Sequence, residues 1–199
     1  MPTIDFWFSI GSTYSYLTVM RLPAVAAAQG ITFAWRPFDV RAIMMEIGNS
    51  PFIGKPAKSA YMWRDIERRA PLSGLSPRLP APYPLADLAF ANQVALLGMQ
   101  EGWGEAFTTA AYANWFEKGL PPDQGDGLTD ALRTAGQDPD AAIARARSDT
   151  VAEALAAQTR IARDLGVFGS PTFAVGSELF WGDDRLEDAV AWARHGTLA

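Results

Sequence analysis

A chain of 199 residues suits one folded unit with a sizeable core and is short for two ordinary domains. Hydrophobic residues are 49% and charged ones 20%, which excludes a disordered, collagen-like or extended coiled-coil chain. With no cysteine and one histidine, disulfides, a cysteine nucleophile, CxxC redox work and thiolate or multi-histidine metal sites fall away, so no metal is expected; the net charge of -5 argues against nucleic acid and anionic membranes as partners.

In chain order, Ile4, Phe6 and Phe8 alternate with Asp5, Trp7 and Ser9, the period of a strand. No secretory leader pattern and no apolar run near the roughly 18 residues of a membrane span is read, so a cytoplasmic chain is expected. After Gly11, Leu17, Met20, Ala24 and Ala27 fall at helical spacing up to Gly30, with Ser12 or Thr13 placed to cap the first turn and Pro23 to kink the middle. Residues 31–36 read as a second strand, which completes a βαβ unit with parallel strands. From Pro37 to about Ala157 strand signals vanish, and Ala-rich segments with Gly and Pro punctuation predict a helical insert. Pro71 to Pro84 reads as an ordered surface loop. Thr150 and Glu153 form a capping box for a helix ending at Gly166. Two β-rich runs, 172–175 and 178–181, flank Gly176 and Ser177 as a hairpin. Leu186, Ala189, Val190 and Ala193 then close the chain with an amphipathic helix.

Three turns offer chemistry. In SIGSTYSYL, Ser12 stands where a helix begins; it serves either as a helix cap or as a hydroxyl donor to an anion, such as a thiolate, held at that terminus. In GVFGSPTF, the Ser170-Pro171 bond precedes a strand and is either an ordinary trans turn or a cis bond. If it is cis and faces Ser12, the Ser170 backbone offers a donor and an acceptor to an extended peptide ligand. In FWGDDRL, the amides of Asp183 and Asp184 suit a carboxylate and the Asp184 side chain an ammonium, the alternative being a helix cap and surface charges. The single histidine, His195, lies in the final helix, where a cation suits the dipole, so a serine-histidine-acid triad is not expected. Trp63, Trp103 and Trp115 fall at spacings that favour core, and none is assigned to substrate.

The three turns, in this order, resemble the thioredoxin-type fold of DsbA and the kappa-class glutathione transferases, and within it the 2-hydroxychromene-2-carboxylate isomerase family. The resemblance rests on GSTYSYL at Gly11 to Leu17, RPFDVRAIM at Arg36 to Met44, GNSP at Gly48 to Pro51, KPAKSAYMWRD at Lys55 to Asp65, GVFGSPTF at Gly166 to Phe173 and FWGDDRL at Phe180 to Leu186. It implies an α/β thioredoxin-like unit of about residues 1–38 and 158–199 with an inserted helical subdomain of about 39–157. It also implies a glutathione-dependent, cytoplasmic, homodimeric isomerase of aromatic hydrocarbon catabolism.

By the same resemblance Ser12 takes the place of the redox cysteine and glutathione supplies the sulfur. Ser170, before Pro171, holds the cysteinyl part of glutathione by its backbone; Gly182, Asp183 and Asp184, with Trp181 beside them, hold the γ-glutamyl end. Lys58 matches a lysine that reaches the glycyl carboxylate. Asn49 and Ser50 match the turn lining the second-substrate pocket, Arg41 falls near a cation for the substrate carboxylate, and Tyr83 near a pocket tyrosine. Two positions depart from the pattern: Thr13 replaces a proline, so that its hydroxyl competes with Ser12 for the cap or the thiolate, and Arg41 replaces a lysine. The alternatives are a kappa-like glutathione transferase or peroxidase, and a non-catalytic thiol- or peptide-binding module.

Overall fold

The computed structural model describes residues 2–52 and 54–198. Strand β1 (Thr3–Phe8) leads through helix α1 (Ser15–Gln29) to β2 (Thr32–Pro37), and β1 and β2 pair in parallel with Phe6 opposite Trp35. Among the described residues six α-helices follow, α2 (Val40–Glu46), α3 (Pro56–Arg69), α4 (Leu88–Glu101), α5 (Gly104–Ala113), α6 (Gly125–Thr134) and α7 (Pro139–Ala146), with a 3-10 turn after α3 and a π turn after α5. Helix α8 (Asp149–Asp164) brings the chain back to the sheet. There β3 (Thr172–Val175) and β4 (Glu178–Trp181) form a hairpin, and α9 (Leu186–His195) ends the fold. The sheet order is β2-β1-β3-β4, with β3 antiparallel to both β1 and β4. The expected order of elements, βαβ, helices, then αββα, is therefore the observed one.

Alternation along β1 decides how the two faces are covered. Ile4, Phe6 and Phe8 enter the larger core, where Phe6 stacks on its cross-strand neighbour Phe173 at 5.5 Å and meets Trp35 edge-on at 5.1 Å. Trp7 points to the opposite face and packs with Phe38, Val40, Ile43, Ala162 and Ala174, under α2 and α8. The Gly176-Ser177 turn needs one positive φ, which Gly176 supplies at +62°.

Three local expectations are corrected. Neither Ser12 nor Thr13 caps α1: the N-cap is Tyr14, without a side-chain hydrogen bond, because both earlier hydroxyls are engaged elsewhere. Helix α8 begins two residues before the Thr150 box. Ser148 is its N-cap and accepts from the Val151 amide, leaving Thr150 inside the first turn. The final helix has Arg185, not Asp183, at its N-cap position. Pro23 lies inside an α1 that continues to Gln29.

Candidate active site

The turn after β1 is held from three sides. Asn92 of α4, buried, accepts from the Ile10 amide at 2.8 Å and donates to the Ser9 hydroxyl and the Ile10 and Leu88 carbonyls. The Tyr112 hydroxyl of α5 reaches the Ser9 and Ser12 carbonyls at 3.0 and 3.2 Å. Burial pushes that phenol far up, so it stays a protonated donor. Gly11 (φ +124°) passes so close to Leu88 that a β-carbon there would collide with its side chain.

Within this frame the Ser12 hydroxyl donates to the Ser170 carbonyl at 2.6 Å, although the two residues are 158 positions apart. The Ser170-Pro171 peptide is cis. The Ser170 hydroxyl accepts from the Ser9 amide at 2.9 Å and shares a hydrogen bond with Ser15 at 2.8 Å. The loop is closed from the other side, where Thr172 donates to the Gly169 carbonyl and the Gly182 amide to the Pro171 carbonyl, both at 2.9 Å. The Thr13 hydroxyl points away, to the Met62 sulfur of α3, and is buried; it competes with Ser12 for neither a cap nor a ligand.

One wall is aromatic. Trp181 is 54% exposed and Phe168 46%, with ring centroids 4.9 Å apart, and the Trp181 indole rests on Gly169, where a β-carbon would strike it. Beyond Trp181, Gly182 takes φ +118°, and the chain turns so that Asp183 faces inward. The Asp183 carboxylate accepts from Thr18 at 2.9 Å and from Arg21 and Arg69 at 3.1 Å each. Arg21 also holds Glu187 and the Asp183 carbonyl. The Asp183 side chain is thus consumed by structure, and only its backbone is left for a ligand. Asp184 is exposed and pairs with Arg185 at 3.1 Å.

A second wall joins residues the sequence separates. Tyr83 meets Phe52 and Trp63 edge-on at 5.9 and 6.0 Å, and Trp63 leans on Phe116. Burial raises the Tyr83 phenol while the nearby Arg41 guanidinium opposes it; Arg41 itself donates to the Leu85 carbonyl. Lys58, in the first turn of α3, lies over the Phe52 ring at 5.5 Å. Asn49 and Ser50 are exposed in the loop before α3, where the Ser50 carbonyl accepts from Lys55. Among the described residues no hydrogen bond joins Asn49 or Ser50 to the Ser12 turn. Trp103 and Trp115 are core, as expected, and His195 is exposed at the end of α9. Two grooves of about 370 and 390 Å³ lie elsewhere, one between α2, α4 and α8 and one beside Pro23 and Trp35; neither is lined by Ser12 or Ser170.

Sequence reasoning used Ser170 only as backbone and passed over Ser9, Ser15, Asn92 and Tyr112. The run of serines at 9, 12 and 15 was the available signal. Asn92 and Tyr112 sit in apolar helices and gave none.

A serine hydroxyl paired with the carbonyl before a cis-proline, on a β2-β1-β3-β4 sheet, defines a thioredoxin-type protein without a redox cysteine. The chain belongs to the family of the DSBA-like thioredoxin domain, which matches residues 3–191. Within that family it is 2-hydroxychromene-2-carboxylate isomerase-like. The isomerase of that name from Sphingobium xenophagum is 33% identical over 188 residues, covering 93% of this chain and 94% of that protein. A solved structure of 2-hydroxychromene-2-carboxylate isomerase matches with a TM-score of 0.83 at 28% identity, over 94% of this chain and 91% of that one. Glutathione S-transferase kappa 1 of Caenorhabditis elegans is 27% identical over 200 residues, 94% of this chain and 88% of that protein.

Proposed function

We propose that the chain is a glutathione-dependent isomerase that interconverts 2-hydroxychromene-2-carboxylate, or a related aromatic carboxylate, and trans-o-hydroxybenzylidenepyruvate. The observation that carries this reading is the Ser12 hydroxyl fixed 2.6 Å from the Ser170 carbonyl, in a chain without cysteine, where a hydroxyl can serve a ligand's sulfur but cannot supply one. Ser12 is the catalytic residue, donating a hydrogen bond that favours the thiolate of glutathione over its thiol. The Ser170 backbone, with Pro171, holds the cysteinyl part. Trp181, Gly182 and the backbone of Asp183 hold the γ-glutamyl end with the Asp184 carboxylate, and Lys58 takes the glycyl carboxylate. Arg41 grips the substrate carboxylate, with Tyr83, Asn49 and Ser50 around the ring.

In this reading the hemiketal ring opens first, its C–O bond to the aryl oxygen breaking as the hydroxyl becomes the ketone and its proton passes to the phenol. The thiolate then adds to the unsaturated keto acid, its electron pair forming the C–S bond. The former double-bond electrons are delocalised as an enolate. Rotation about the bond made single follows. The enolate then expels the thiolate, which restores the double bond in the trans form, so glutathione is returned unchanged. Arg41 and the Ser12 hydroxyl act as fixed positive and donor groups, whose stabilisation counts most while charge is moving.

The test is absorbance of purified protein with 2-hydroxychromene-2-carboxylate, with and without glutathione. Conversion that requires glutathione supports the reading; conversion at the same rate without it refutes it. A kappa-like transferase is the second reading, favoured by the Caenorhabditis elegans relative. It predicts that glutathione disappears in step with an electrophile. A homodimer belongs to the proposal, and light scattering at twice the 21.6 kDa chain mass is the expected result.

A further inference from the structure

Ser12 has one hydroxyl proton and gives it to one acceptor at a time. In this fold the acceptor is the Ser170 carbonyl. The Ser170 amide donates to no group among the described residues. Its side chain has no freedom to compensate, being bonded to the Ser9 amide and to Ser15. The loop around it is tied by Thr172 to Gly169 and by Gly182 to Pro171. The carbonyl is therefore a fixed acceptor that loses its donor whenever Ser12 turns to a sulfur. Leaving a part-buried carbonyl bare opposes that turn by roughly tenfold or more in the equilibrium.

We propose that the Ser12 hydroxyl and the cysteinyl amide of the ligand exchange places on the Ser170 carbonyl, so that Ser12 serves the sulfur only when a peptide N–H has taken over the carbonyl. This rests on the glutathione reading above. The ligand's N–H bonds the Ser170 carbonyl and its cysteinyl C=O accepts from the free Ser170 amide, one rung of an antiparallel ladder. The thiol proton passes to solvent and the Ser12 proton, released from the carbonyl, is shared with the thiolate. The site thereby distinguishes thiols by chemistry away from the sulfur. An acylated cysteine completes the exchange. A simple thiol, or a thiol acid without that N–H, leaves Ser12 on the carbonyl and its own sulfur unassisted.

The experiment is a double-mutant cycle between Ser12→Ala and the ligand's N–H. Glutathione is compared with its ester analogue, in which an oxygen replaces the cysteinyl N–H. The thiolate absorbance of each is titrated against pH on both proteins, at concentrations that calorimetry shows to be saturating. The expected result is that Ser12→Ala lowers the thiolate fraction of bound glutathione at least fivefold at a pH on the rising limb. For the ester analogue the change stays under twofold. Equal losses for both ligands would overturn the exchange while leaving the glutathione reading intact. An ester analogue that fails to bind at all would also count against it, because one ladder bond to a carbonyl that Ser12 still satisfies is worth no more than about tenfold in affinity. If glutathione itself neither binds nor shows a Ser12-dependent thiolate, the functional reading falls and takes the exchange with it.

Discussion

Tyr112 shows how much of the site is held by residues that do no chemistry. Its buried hydroxyl has one proton to share between the Ser9 and Ser12 carbonyls, and the Ser9 carbonyl also accepts from the Ser12 amide, so Tyr112→Phe removes one buried donor that the two carbonyls share. Destabilisation of about 1–3 kcal/mol is expected, read from the midpoint of urea unfolding. An unchanged midpoint would mean that the turn is set by Asn92 alone. Ser170→Ala frees the loop from Ser9 and Ser15 while keeping its backbone acceptor. The expected outcome is a fall in kcat of roughly tenfold, because a displaced carbonyl misplaces both Ser12 and the ligand. Rescue by Ser170→Thr, which restores a hydroxyl, separates positioning from mere packing. Ser12 and Ser170 were legible as single residues in their turns. Their hydroxyl partners were not, because a hydrogen bond across more than 150 residues leaves no periodic trace in sequence.

At the scale of elements, Asp183 ties α1, the end of α3 and the start of α9 through Thr18, Arg21 and Arg69. It is buried, and Arg21 is mostly so, whereas Arg69 is half-buried and Glu187 is exposed and counts for less. Asp183→Ala removes the buried carboxylate that accepts from Thr18, Arg21 and Arg69, while Arg21 keeps Glu187 and the residue-183 carbonyl, so a loss of about 1–3 kcal/mol is expected. Thermal unfolding will check it, and a loss under 1 kcal/mol would show that water reaches the pair. The sequence offered this residue's amide for a ligand head group and its side chain as a helix cap; the side chain caps no helix and is bonded to Thr18, Arg21 and Arg69 instead. Aspartates before helices suggest caps by local chemistry, whereas its partners Arg21 and Arg69 come from far upstream. The hairpin at Gly176 was legible because its signals are local: alternation, and a glycine at the one positive φ. Helix α8 was legible to within two residues, since Ser148 and Thr150 are both acceptable caps and tertiary packing chose the earlier.

For the whole molecule, alternating apolar strands and Ala-rich helices made an α/β chain with a helical insert readable from the sequence. The sheet order needed the fold, and so did the direct bond from the Ser12 hydroxyl to the Ser170 carbonyl; the facing of the two turns was offered by the sequence only as a condition. The aromatic wall of Phe52, Trp63 and Tyr83 is a property of the assembled chain alone, because its members come from a loop, α3 and a proline-rich segment. No helix among the described residues is long and apolar enough to cross a membrane. Arg41, beside that wall, is expected to govern the carboxylate end of the substrate. Arg41→Ala should raise KM about tenfold or more with a smaller change in kcat, and Arg41→Lys should recover part of it. An unchanged KM would place the carboxylate elsewhere.

The proposed role of Ser12 is to activate a sulfur that glutathione lends and takes back. The direct measurement follows isomerisation by absorbance at saturating glutathione, for wild type and Ser12→Ala, while free thiol is counted in the same reaction. Many turnovers per glutathione with total thiol constant are expected, with a loss of about 100-fold or more in kcat for Ser12→Ala. Thiol consumed one for one with product, or a Ser12→Ala protein as fast as wild type, would contradict it.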